Sequence, residues 1–283
     1  MAVSSISSVT SALINKILAD AIFVAEQMAL MPMLVTPYSG QGMAQRLMGI
    51  YPQATAQEVA EGVDYANATE LTKTTTMTLT PKKAKVQFLL TDERVETDPD
   101  DARGDAARVM GDAIARKIDK DLLAEFASFT VSKGTANNAL TIANLSAAVS
   151  VLRNNNAPNP LNGVLHPYQW QDIWAQLGAP SANQAFLGEV ANRALQSWFV
   201  NNSFLNLTWY IDANIVTDSN SDATGAVFHR EALALDTRKG ITMEPERDAS
   251  KDAWELNMSV WYAVGVRRNS FGVKIISDVT EPT

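Results

Sequence analysis

Few residues of this chain are of a type that does chemistry, and their spacing argues against it. The only two histidines are His166, which closes an apolar run before Pro167, and His229, which lies inside another. An imidazole acts as a base or ligand only with a nucleophile or further ligands in reach. A lone histidine in or at the end of a strand reads instead as a packed, hydrogen-bonding side chain. The run Asp98-Pro99-Asp100-Asp101 could offer three carboxylates to a metal ion. It fits a helix start better: Asp98 caps, Pro99 takes the first helical position, and the acids face the positive end of the dipole. Gly40-Gln41-Gly42 lacks the third glycine of a dinucleotide fingerprint, and Pro37 stands where the preceding strand should end. No Walker-type phosphate loop, metalloprotease histidine pair, nucleophile elbow or calcium loop is present. Cysteine is absent, which removes disulfides, thiolate catalysis and cysteine-ligated metal sites together. The expectation is a non-enzyme without catalytic, cofactor or metal residues.

At 283 residues the chain exceeds one comfortable core, so two sub-domains, or one domain with extensions, are expected. An apolar fraction of 46% is that of a globular protein. Net charge is −8 and the isoelectric point about 4.9, a poor basis for gripping nucleic acid and a good one for keeping free subunits soluble. From Ala12 to Leu34 apolar residues recur at helical spacing, but Lys16, Asp20 and Glu26 interrupt them. That pattern predicts an amphipathic terminal helix that docks on its own body or a neighbour, not a membrane span. The Ser-rich, uncharged first residues do not read as a signal peptide.

The most distinctive stretch runs from Leu71 to Phe126. Thr72–Thr80 and Lys85–Leu90 both alternate apolar and polar residues and flank Pro81-Lys82-Lys83, which predicts a β-hairpin. Its cations are Lys73, Lys82, Lys83 and Lys85, with no acid among them. Acids lie on either side: Glu58, Glu61 and Asp64 before it, and Glu93, Glu96 and Asp98 after it. A basic arm between acidic stretches can complement a second copy of itself and set register between identical subunits. Met77, on the apolar face of the first run, joins that candidate contact set.

From Asp98, apolar residues recur at three- and four-residue steps to Phe126, predicting a spine helix of roughly 28–30 residues, far above the usual length. A compact α/β unit follows: a helix near Asn144–Arg153, a strand at Gly163–His166, a helix from Pro167 to Leu177, a helical patch near Val190–Val200 and a strand at Trp209–Val216. The last quarter predicts strands at Ala226–Leu235, Trp254–Val266 and Phe271–Ile276. The class is α+β.

This order of parts resembles the major capsid proteins of tailed bacteriophages, which share the Hong Kong 97 phage fold. The resemblance rests on Val86-Gln-Phe-Leu-Leu-Thr-Asp-Glu93, on the strand–His166-Pro167–helix step and on Tyr262-Ala-Val-Gly-Val-Arg-Arg-Asn-Ser-Phe-Gly-Val-Lys-Ile275. It implies an N-terminal arm (1–49), an extended hairpin loop (50–95) over a neighbouring subunit, a peripheral domain (96–140 and 226–283) and an axial domain (141–225). It also implies hexamers and pentamers of an icosahedral head enclosing double-stranded DNA, with scaffold, portal and decoration proteins as partners, assembled in the host cytoplasm. An encapsulin-like shell around protein cargo, or a hydrolase or binding protein without a signature, are the alternatives. Some members of the family join neighbours by a Lys–Asn isopeptide bond, for which Lys73, Lys82 or Lys83 and Asn269 are the right residue types.

Overall fold

The computed structural model describes residues 21, 29–40, 44–51, 56, 58–64, 70–97, 102–178 and 203–281. In chain order these form α1 (Met31–Leu34), β1 (Thr36–Ser39), β2 (Arg46–Ile50), β3 (Thr74–Leu79), β4 (Lys82–Thr91), α2 (Asp92–Thr97) and the spine helix α3 (Ala102–Ala124). Then come β5 (Ser132–Gly134), α4 (Ile142–Asn154), β6 (Leu161–Leu165), α5 (Pro167–Gly178), β7 (Ser203–Phe204) and β8 (Leu207–Ile211). Four strands close the chain: β9 (Asp222–His229), β10 (Leu233–Asp248), β11 (Ala253–Val266) and β12 (Gly272–Asp278). The Asp98 cap, the helical patch at 190–200 and most of the N-terminal helix lie outside the described residues.

The strands build two main sheets on one contiguous core. A four-stranded sheet runs β1-β10-β11-β4, and a six-stranded sheet runs β5-β12-β9-β6-β8-β7. The α+β class holds. The long alternating run at 254–266 forms β11 as expected, with Leu256, Met258, Val260 and Tyr262 buried. The spine helix has 23 residues and tightens into a 3₁₀ turn at Glu125–Ser128, where Phe126 stacks toward Phe129 and Phe228.

Two expectations need correcting. The runs around Pro81 are not partners: β3 pairs with β2, and β4 pairs with β11. Ala226–Leu235 is not one strand. It breaks at the 3₁₀ turn Arg230–Ala232, where the chain passes from the six-stranded to the four-stranded sheet. The domain boundary expected at 225/226 therefore falls inside β9, and β12, expected with the peripheral strands, lies in the six-stranded sheet.

Buried charge fixes the joints between these layers. Asp236 on β10 has no exposed surface, and its Oδ2 accepts Arg46 Nε at 3.1 Å and Arg238 Nε at 2.8 Å. Arg46 is the first residue of β2 and also donates to the Ser39 carbonyl, so one carboxylate ties β1, β2 and β10 together. On the spine helix, buried Asp119 accepts the backbone N–H of Met31 at 3.0 Å and of Leu30 at 3.4 Å. Asp212 stands beside it as a second buried carboxylate, and its Oδ2 has no hydrogen-bond partner among the described residues. A second carboxylate so near opposes ionisation of Asp119. About two turns earlier on the same helix, a Cβ at Gly111 would fall on the Ala21 carbonyl, so glycine is what lets Ala21 lie against the spine.

Two outcomes test these joints. Asp236→Ala leaves two guanidinium groups without their carboxylate and should cost about 3–5 kcal/mol, a fall in Tm on the order of 10 °C. A melt within about 1 °C of the wild type would show that the joint contributes nothing. Burial pushes the Asp119 carboxyl up to about 6, with Asp212 adding to the rise and the Met31 and Leu30 N–H groups opposing it. The unfolded carboxyl titrates near 3.8, so stability is full below about pH 4, falls as pH rises, and levels off above about pH 6. Thermal melts from pH 4 to 8 should show that slope, and Asp119→Asn should flatten it; an unchanged slope would assign it to other groups.

Candidate subunit-contact surface

The extended loop begins where β2 and β3 leave the body. Their ladder runs from Arg46 opposite Leu79 to Ile50 opposite Thr74, and the 23 residues from 51 to 73 lie beyond it. The inner end of the ladder packs on the body: Met48, Leu79, Ala234 and Ala263 form a small apolar cluster, flanked by Tyr38 and Met77. Met77 lies on Gly265, so this candidate contact residue is half-buried against its own chain. The outer surface is apolar and open, with Leu47, Tyr51 and Leu71 all more than half exposed.

Within the loop, the backbone from Ala60 to Val63 closes a β-turn, with the Val63 N–H donating to the Ala60 carbonyl at 3.1 Å. Gly62 sits at its third position with φ +79, which a side chain would strain. This turn presents Glu58, Glu61 and Asp64 to solvent, together with Val59 and Val63. The three acids that the sequence places before the arm are thus one exposed group.

The lysines divide differently. Lys73 belongs to the loop, and its aliphatic stem lies over Gly49. Lys82, Lys83 and Lys85 belong to β4, a strand of the body: Lys83 and Lys85 lie on its outer face, and Lys82 lies at the strand's start on the face whose Ala84, Val86 and Phe88 pack on the core. The basic arm is therefore not one element, because Pro81 parts two strands that seek different sheets. Of the later acids, Glu93 and Glu96 are exposed on α2, while Asp98 lies outside the described residues. Asp92 beside them is engaged, making a two-pronged pair with Arg247 at 2.7 and 2.9 Å, and Arg247 in turn covers the Trp254 ring.

Lys82 and Lys83 border a cleft of about 390 Å³ between β4, the end of the spine helix and β11. Lys117, Asp121, Glu125 and Tyr262 line its floor. Asp121 is satisfied there, accepting Lys117 Nζ at 2.7 Å and the Tyr262 hydroxyl at 2.6 Å. Burial and that bond push the Tyr262 hydroxyl well above its usual range. Burial also raises the Glu125 carboxyl, against a hydrogen bond from Ser128 that lowers it. A second depression of about 560 Å³ shares Glu125 and Val264 with the first and continues beneath the loop to Arg267 and Asn269. Lys117–Asp121 was visible in the sequence as a surface helix pair; that it floors a cleft was not, because its walls come from β4 and β11.

The residues that offered chemistry do other work. His166 Nδ1 accepts the Tyr168 N–H and His229 Nδ1 accepts the Glu231 N–H, both at 3.3 Å, so each caps the turn that follows it. Burial lowers both imidazoles, keeping them neutral for that role. Asn269 accepts the Thr130 N–H at 2.9 Å and donates to the Ser128 carbonyl at 3.4 Å, so its amide is spent within the chain. Among the described residues no cluster of His, Asp and Glu could hold a metal ion, and no helix is long and apolar enough to cross a membrane.

Solved structures share this fold at low identity. The capsid of the cyanophage P-SCSP1u superposes with a TM-score of 0.66 at 12% identity, covering 89% of each chain. The head of Helicobacter pylori bacteriophage KHP40 gives 0.66 at 13%, covering 87% of this chain and 88% of that one. A virus-like particle from Pyrococcus furiosus gives 0.60 at 9%, covering 92% and 98%. No curated protein sequence matches the chain. The model of one family, described as phage capsid protein, matches residues 73–275, from the outer leg of the loop through the spine helix to β12. The chain belongs to the phage capsid protein family and is a major capsid structural subunit.

Proposed function

We propose that the subunit assembles into hexamers and pentamers of an icosahedral phage head that encloses double-stranded DNA. In this reading the four-stranded sheet and spine helix form the peripheral domain, and the six-stranded sheet with α4 and α5 forms the axial domain around each capsomer. The turn-rich loop Asn154–Pro160 then approaches the capsomer axis. Scaffold, portal and decoration proteins are the other partners, and assembly takes place in the host cytoplasm. The role is structural, with no reaction catalysed.

The observation that carries this reading is the two-stranded ribbon β2–β3. A ribbon of two strands is marginally stable alone, and this one leads into a segment that exposes Leu71, Tyr51, Val59 and Val63. Apolar residues held out on an extended loop are stabilised only by covering them with another surface. A net charge of −8 suits the inside of a container whose cargo must leave again, since few phosphate contacts form without clustered cations. A shell around protein cargo is less well supported, because the family match is to phage capsid proteins.

Because β4 is a strand of the body, the test must remove only the loop. Ile50 stands opposite Thr74, so a two-residue Asn-Gly turn can replace residues 51–73 without disturbing the ladder. The shortened chain should stay soluble with an unchanged far-UV spectrum and fail to form particles by electron microscopy and size-exclusion chromatography. Normal particles from it would remove the loop from assembly. Particles of the full chain, expressed with its phage genes, should carry an absorbance ratio of nucleic acid; protein-only contents would favour the other shell.

A further inference from the structure

Among the described residues, the side chains of Lys82 and Lys83 have neither an ion-pair nor a hydrogen-bond partner, although both border a cleft in whose floor Lys117 and Asp121 are already paired. Asp121 in the floor already accepts from Lys117 and Tyr262. The two unpaired lysines make the rim of the groove cationic, while Arg267, at the far end of the adjoining depression, is paired with Glu231 at 3.8 Å. The exposed turn of the extended loop has the opposite character. It carries Glu58, Glu61 and Asp64 without a cation among residues 58–64, and Val59 and Val63 stand 45% and 61% exposed between them.

The geometry points to this groove as the seat of the acidic turn from a second copy of the chain. This rests on the shell reading and names the surface through which the loop acts. Charge complementarity selects the occupant: a segment of acids with small apolar residues between them fits a trough with lysines on its rim and Ala124, Ala263 and Val264 on its walls. Reach permits it. Folded back on itself, a 23-residue loop spans up to about 35 Å from its root, enough to cross to an adjacent subunit. The type II turn at Gly62 holds the acids on one short bend, so they arrive as a group and lose little freedom on docking. The basic and acidic stretches of the sequence thus act between subunits, as positions on two different surfaces and not as one arm.

Charge reversal and its rescue test this. Particle yield is read by electron microscopy and sedimentation for three variants: Lys82→Glu with Lys83→Glu, Glu58→Lys with Glu61→Lys, and all four changes together. Each pair alone places like charges together and should cut particle yield by about tenfold or more, while the fourfold variant should recover most of it. All positions are exposed, so melting temperatures should match the wild type and show that lost assembly is not lost folding. Normal assembly of the lysine pair would overturn the proposal. So would loss in the lysine pair with normal assembly of the glutamate pair, which would give the groove a different occupant. Failure of the fourfold variant to recover, with both pairs defective and folded, would also overturn it. Failure of the unchanged chain to form particles would instead strike the shell reading itself.

Discussion

The extended loop leaves this protein at one point, and a single carboxylate holds that point. Asp236 is fully buried and balances Arg46, at the root of the loop, and Arg238, on the body. Burying a carboxylate costs several kcal/mol unless its partners are close and well aimed, so the joint is stable only with β1, β2 and β10 in register. The loop's direction follows, since Arg46 fixes where the β2–β3 ladder begins and Met77 and Leu79 seat its inner end. A subunit that must meet its neighbours along a shared lattice needs that angle set before contact, because an arm free to swing would spend the interface energy on its own ordering.

Charge is used in two ways by position. Inside the fold, Asp236 and Asp119 each anchor a backbone or cationic group from a distant part of the sequence. Asp119 does so with Asp212 beside it, where Leu30 and Met31, the spine helix and the end of β8 come together. At the surface, Lys82, Lys83, Glu58, Glu61 and Asp64 have no side-chain partner among the described residues. Groups paired within a subunit define its shape, and the proposed contact with a second copy draws on the others.

Legibility differed by element for physical reasons. The spine helix, α4, α5 and β11 were readable because each buries one face and its sequence repeats with the period of that burial, while β6, buried throughout, was marked by a short apolar run between turn residues. The pairing of β3 and β4 was not. Alternation reports that one face of a strand is covered; it does not report by what. Both runs alternate, and Pro81 between them looks like a hairpin turn, yet Arg46–Ile50 and Ala253–Val266 compete for them and win. The same limit applies to Ala226–Leu235, continuous in hydropathy but split where the chain changes sheets. The roles of His166 and His229 as packing residues were readable, since neither has the companions that chemistry requires.

The sequence by itself determined the class of the fold, the lack of any recognisable catalytic constellation, and the alternation of basic and acidic stretches around residues 58–98. These are properties of residue type and local period, which survive without knowledge of the partner. Only the tertiary structure decided which strands pair, that Lys82 and Lys83 belong to the body while Glu58, Glu61 and Asp64 ride on the loop, and that Lys117, Glu125 and Tyr262 complete a groove beside them. Those facts depend on contacts between residues up to about 180 positions apart, such as Lys83 with Trp261 across the sheet, and a linear pattern carries no record of distance in space.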